Sequence, residues 1–234
     1  MNHRIYSLLV GILSGIAPAA HAQMTAQVMK KSPEQTLHYW LYLPERYEMS
    51  KQQDFPLVLF LHGGGEVGDS LALVKKNGLP REIARGKQFP FVMVAPQNPK
   101  NQLWDDALVL TLLNDIIDTY RIDEDRVYLT GMSRGGFGAW RMAIQNPDKF
   151  AAVVPVCGGG VPDYARRIKD VPVWAFHGAK DRLIPLSRTV EMVEALLAAG
   201  GNVKLTVYPE AGHDSWTETY RNPQLYEWML QQKR

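Results

Sequence analysis

Short apolar runs recur along the chain, each followed by a turn-forming cluster and then by a longer segment with helical spacing. Leu37 to Leu43 mixes aromatic and aliphatic residues and stops at Pro44, the pattern of a strand near a sheet edge. Pro56 to Leu61 is apolar throughout and ends in His62 and three glycines, as expected of a strand covered on both faces. Comparable runs lie at Pro90 to Ala95, Val127 to Thr130, Ala151 to Val156, Val171 to Phe176 and Val203 to Tyr208. Between them the period changes from continuous to helical. Val109, Leu112, Leu113, Ile116 and Tyr120 fall on one face of a helix, as do Phe137, Trp140 and Ile144, and then Val190, Val193 and Leu197. Asn146-Pro147 and Gly200-Gly201 are the stops. Alternating strand and helix predict an α/β fold: a mostly parallel central sheet flanked by helices, with ligands gathered at the carboxyl ends of the strands.

The beginning of the chain departs from this pattern. Met1 to Tyr6 carries Arg4 and no acid, Leu8 to Ala17 is apolar, and Ala20-His21-Ala22 has the small-x-small form of a cleavage site. Residues 1–22 therefore read as a secretory signal peptide, leaving 23–234 as a single exported domain, periplasmic or secreted. Gly11, Ser14, Gly15 and Pro18 interrupt the apolar run, so stable membrane insertion is not expected. The 26 basic and 24 acidic residues of the 234 give a formal charge of +2. They are well mixed along the chain, and nucleic acid is not an expected partner. Cys157 is the single cysteine, which excludes an internal disulfide in any compartment; it reads as a buried small hydrophobe.

Chemistry concentrates in the turns after the strands. Gly131-Met132-Ser133-Arg134-Gly135 has the form G-x-S-x-G between an expected strand and a helix starting near Gly135. On such a turn a serine hydroxyl stands clear of the sheet. A serine needs a histidine to take its proton and an acid to orient that histidine. His213 follows the run Val203 to Tyr208, and Asp181 follows Val171 to Phe176. In a parallel sheet both loops lie on the same edge as Ser133. Asp214 adjoins the histidine, but side chains of neighbouring residues in an extended loop diverge, which favours Asp181. Glu210 reads as solvent-facing. His62 and His177 head glycine turns and are expected to bond the loop backbone. No histidine pair has the spacing of a helical zinc site, so neither a metal nor another cofactor is expected.

Acyl transfer also needs backbone donors for an oxyanion. The turn His62-Gly63-Gly64-Gly65 offers one, taken as Gly64, although either neighbouring glycine satisfies the same argument; the amide of Arg134, at the start of the helix, offers the second. Trp104, Met132, Tyr164 and Trp216 are candidates to line the substrate cleft. The stretch from Cys157 to Asp170, where a lid would enter, is only 14 residues. That leaves no room for a cap domain and predicts an open site suited to small or polysaccharide-linked esters.

The segments Leu57 to Gly68, Tyr128 to Trp140, Val173 to Pro185 and Val207 to Trp216 resemble the α/β-hydrolase superfamily. Within it they are similar to secreted esterases of the phospholipase/carboxylesterase, dienelactone-hydrolase-like and prolyl-oligopeptidase-type branch, close to feruloyl and acetyl-xylan esterases. The resemblance runs from about Leu37 to Trp228. It implies Ser133, Asp181 and His213 as a triad, Gly64 and Arg134 as oxyanion-hole positions, and a carboxylic-ester hydrolase working through an acyl-enzyme. The same motifs serve peptidases and acyltransferases, and a non-catalytic carbohydrate-binding protein could be built on the same scaffold. The oligomeric state is not legible in the sequence.

Overall fold

The computed structural model describes residues 22–30, 36–99 and 103–234. The expected signal peptide, apart from Ala22, lies outside them. Among these residues eight strands form one sheet: β1 (Gln23–Lys30), β2 (Thr36–Leu43), β3 (Phe55–Leu61), β4 (Val92–Pro96), β5 (Ile122–Met132), β6 (Ala152–Val156), β7 (Val173–Gly178) and β8 (Val203–Tyr208). Their order across the sheet is β1-β2-β4-β3-β5-β6-β7-β8. Only β2 breaks the parallel arrangement, pairing antiparallel with both β1 and β4. Every pairing from β4 across to β8 is parallel.

Among the described residues six α-helices complete the layers: α1 (Gly78–Ala84), α2 (Asp106–Thr119), α3 (Arg134–Gln145), α4 (Ser187–Ala198), α5 (Trp216–Arg221) and α6 (Pro223–Gln231). Alternation along the buried strand β3 assigns its side chains to two cores. Leu57, Leu59 and Leu61 pack with Leu112, Ile116, Ala139 and Leu196 from α2, α3 and α4. Val58 and Phe60 pack with Leu79 and Ile83 of α1, Tyr220 of α5 and Met229 of α6. Burial on both faces is why this strand reads as a continuous apolar run.

Strands β1 and β5 and helix α4 each differ from the sequence expectation for an identifiable reason. Strand β1 carries no apolar run because it is the sheet edge, with Met29 its one buried side chain. β5 starts at Ile122 rather than Val127, its first turn of sequence hidden by the charged stretch Asp123 to Arg126. On α4 the buried face is Thr189, Met192, Val193 and Leu196, whereas Leu197 is 56% exposed. The helix is rotated so that the Thr189 hydroxyl meets His177 Nδ1 at 2.7 Å and donates to the Gly158 carbonyl at 2.5 Å. Between β6 and β7 stands only the short 3-10 turn Pro162–Ile168, so no cap covers the strand ends among the described residues.

Candidate active site

Ser133 sits between β5 and α3 with φ 52° and ψ −118°, a conformation that a residue with a Cβ seldom adopts. The flanking glycines make the turn possible. A Cβ on Gly135 would stand 1.9 Å from the carbonyl oxygen of Leu61, and one on Gly131 would stand 2.3 Å from the carbonyl oxygen of Gly135. The first turn of α3 therefore presses directly on the backbone of β3 and β5. Ser133 N–H donates to Val156 O at 2.9 Å, which ties the turn to β6.

The loops after β7 and β8 converge on this serine. His213 Nε2 lies 2.9 Å from Ser133 Oγ, and His213 Nδ1 lies 2.7 Å from Asp181 Oδ2. A carboxylate only accepts, so Nδ1 carries the proton and Nε2 accepts from the hydroxyl. Asp181 Oδ1 accepts from the amides of Leu183 and Ile184, both at 2.9 Å. Burial alone would raise the Asp181 pKa, but the hydrogen bonds from His213, Ile184 and Leu183 outweigh it and hold the carboxyl below its ordinary range. Asp214 is exposed and Glu210 pairs with Lys180 at the surface, so neither acid enters this chain of bonds.

His62 and His177 fix the surrounding turns. His62 Nδ1 donates to Gly63 O at 2.6 Å while its Nε2 accepts from Asn98 N at 2.9 Å. Burial lowers the His62 pKa from 6.5 to about 4; the Gly63 carbonyl opposes the shift and the Arg134 charge adds to it. The ring is neutral near neutral pH, in the tautomer its partners require. His177 Nε2 lies 3.0 Å from the Ile184 carbonyl oxygen and 3.3 Å from Asp181 Oδ2. It buttresses the carboxylate as well as its own turn, a contact the sequence reading missed.

The glycine turn closes against the serine. A Cβ on Gly63 would approach the Ser133 Cβ to 3.5 Å, and one on Gly64 would approach the Arg134 guanidinium to 3.7 Å. Both glycines thus lie at the mouth of the turn that carries Ser133. A cavity of about 500 Å³ opens here, lined by Gly64, Trp104, Ser133, Arg134 and Phe137 and rimmed by the exposed Leu103 and Leu183. Trp104 is 5% exposed and packs on the His62 ring at 4.7 Å; its carbonyl accepts from Arg141, which is held bidentately by Asp106. Trp216 stands edge-on to His213 at 5.1 Å and is not among the residues that line that cavity.

Met132 departs from its expected role. It is 1% exposed and points from β5 to the opposite face of the sheet, into the core with Phe60 and Tyr128. Tyr164 is half-exposed and borders a neighbouring cavity instead. The sequence reading overlooked Leu103, Phe137, Arg141, Leu183 and Ile184 as lining residues. Only Leu183 and Ile184 gave a usable signal, as apolar residues two and three positions beyond a turn aspartate.

A sequence profile for the family described as "Putative esterase" matches residues 30–214. The chain belongs to this esterase family. Among curated relatives of this esterase-family chain, "Putative esterase NocK" of Nocardia uniformis subsp. tsuyamanensis is 28% identical over 180 residues, covering 62% of this chain and 52% of the relative. "Probable feruloyl esterase C" of Aspergillus terreus is 27% identical over 172 residues, covering 70% and 62%. The crystal structure of a thermostable esterase superposes with a TM-score of 0.79 at 32% identity, covering 90% of this chain and 63% of that one. The esterase-family chain thus spans less than two thirds of the length of each of these three proteins. With its mostly parallel sheet and flanking helices, it has the α/β-hydrolase fold.

Proposed function

We propose that this protein is a serine hydrolase that cleaves carboxylic esters through an acyl-enzyme. The observation that carries this reading is the continuous run of hydrogen bonds Ser133 Oγ to His213 Nε2 and His213 Nδ1 to Asp181 Oδ2, mounted on the strained turn before α3. In this reading Ser133 Oγ attacks the ester carbonyl as its proton passes to His213 Nε2. Asp181 stabilises the imidazolium and holds the ring in place. The negative charge on the former carbonyl oxygen is met by the amides of Gly64 and Arg134, at the positive end of the α3 dipole. Collapse breaks the bond to the alcohol, which leaves with the proton from His213; water then repeats the sequence on the acyl-serine. Relatives named as esterases support the choice of esters. The open, uncapped site supports substrates that are small or attached to a polysaccharide.

Export belongs to the same proposal. β1 begins at Gln23, immediately after the expected cleavage position, so cleavage there leaves the sheet whole. The mass of the protein recovered outside the cytoplasm is expected to correspond to a chain starting at Gln23; an intact Met1 would overturn export by this route.

The catalytic reading is tested with a fluorophosphonate probe and a 4-nitrophenyl ester. Ser133→Ala is expected to abolish labelling and to lower kcat by about 10³-fold or more. Asp181→Asn should lose about 10²-fold or more, with Asp214→Asn close to wild type. Full activity in Ser133→Ala would end this reading, and the reverse order of the two aspartates would move the acid.

A further inference from the structure

A second cavity of about 430 Å³ adjoins the first and shares Phe137 and Arg141 with it. Its other walls include Val161 and Tyr164, each half-exposed, together with Arg167 and Arg188. Exposed apolar side chains gathered around a concavity mark a surface that is covered in use. The charge here is of one sign, since no acidic side chain among the described residues lines the cavity. Arg141 is neutralised and fixed by Asp106. Arg167 stacks over the Tyr164 ring at 5.2 Å, and Arg188 makes one 3.4 Å contact with the exposed Glu191.

The two cavities follow α3. Arg141 is eight residues beyond Ser133, which at 1.5 Å per residue places the boundary of the second cavity about 12 Å from the nucleophile. His213, which returns the proton to the departing alcohol, is absent from the lining of both cavities. Because His213 Nε2, 2.9 Å from Ser133 Oγ, hands its proton to the alcohol, the alcohol is assigned here to the His213 flank and the acyl group to the cavities that run along α3.

Building on the reading of Ser133 as nucleophile, we infer that the second cavity is an acyl-end subsite, which takes the far end of an extended acyl group bearing a carboxylate. Phe137 and Val161 line the apolar stem of such a group, and Arg167 and Arg188 receive its charge. Arginine suits this because its planar fork matches a carboxylate.

The test compares three esters at low ionic strength: 4-nitrophenyl acetate, mono(4-nitrophenyl) sebacate, whose eight methylenes reach about this far, and the methyl ester of that sebacate. Wild type is expected to favour the free acid over its methyl ester by about tenfold in kcat/KM, and added salt should erode the preference. The double variant Arg167→Gln/Arg188→Gln should erase it while hydrolysing the acetate within about twofold of wild type. Absence of the preference in wild type, or its survival in the double variant, overturns the subsite while leaving the nucleophile intact. Failure of wild type to hydrolyse even the acetate overturns the catalytic reading itself, and the subsite with it.

Discussion

Ser133 shows what a single residue had to accept for this site to exist. A positive φ in a residue with a Cβ costs on the order of 1–3 kcal/mol, and the surrounding close contacts hold it there. The motif around Ser133 and its expected partners in the loops of Asp181 and His213 were legible because each follows an apolar strand run. Met132 was misread because strand alternation sends its side chain through the sheet, away from its neighbour Ser133. His62 fixes its glycine turn, as its place in the sequence implies, and its burial adds a pH dependence. Its pKa falls from 6.5 to about 4 on folding. Between those values the unfolded chain binds the proton and the native state does not, so stability is complete above about pH 6.5 and declines as pH falls toward 4. The loss approaches about 3 kcal/mol. Denaturant midpoints measured from pH 7 to 4 should show this decline, and His62→Gln should lessen it; an equally steep decline in the variant would assign the acid sensitivity elsewhere.

At the level of elements, the approach of α3 to β3 governs the site. The 1.9 Å that a Cβ on Gly135 would leave to Leu61 O cannot be relieved by a rotamer change, because both partners are backbone. Gly135→Ala is expected to cost about 3 kcal/mol or more and to displace Ser133; an unchanged urea midpoint would contradict it. The buried strands were readable for the same reason that they are buried. The peripheral helices were not. α1 is short and contains Gly78 and Pro80, which obscure its period. α6 was legible in principle: Asn222 caps it, Pro223 opens it, and Leu225, Tyr226 and Met229 share a buried face. The rotation of α4 was beyond a hydrophobic count, since its buried face includes Thr189, chosen by its hydrogen bonds to His177 and Gly158.

For the whole molecule, the parallel block β4 to β8 supplies all three converging side chains from the turns at one edge, and no insertion between β6 and β7 roofs them. The two adjoining cavities and their arginines were invisible in the sequence because they join residues of α3, the 3-10 turn after β6 and the start of α4, which share no local pattern. The near-neutral total charge likewise concealed a locally positive surface. At the other end of the sheet, β1 has β2 as its one strand partner among the described residues, with Gln23 beside Leu43 and Lys30 beside Thr36. A pull on the amino terminus would load these rungs one after another, as a zipper, starting at Gln23. Force arriving by that route would be spent on peeling one hairpin, while the parallel strands that carry Ser133, Asp181 and His213 stayed mechanically shielded behind it.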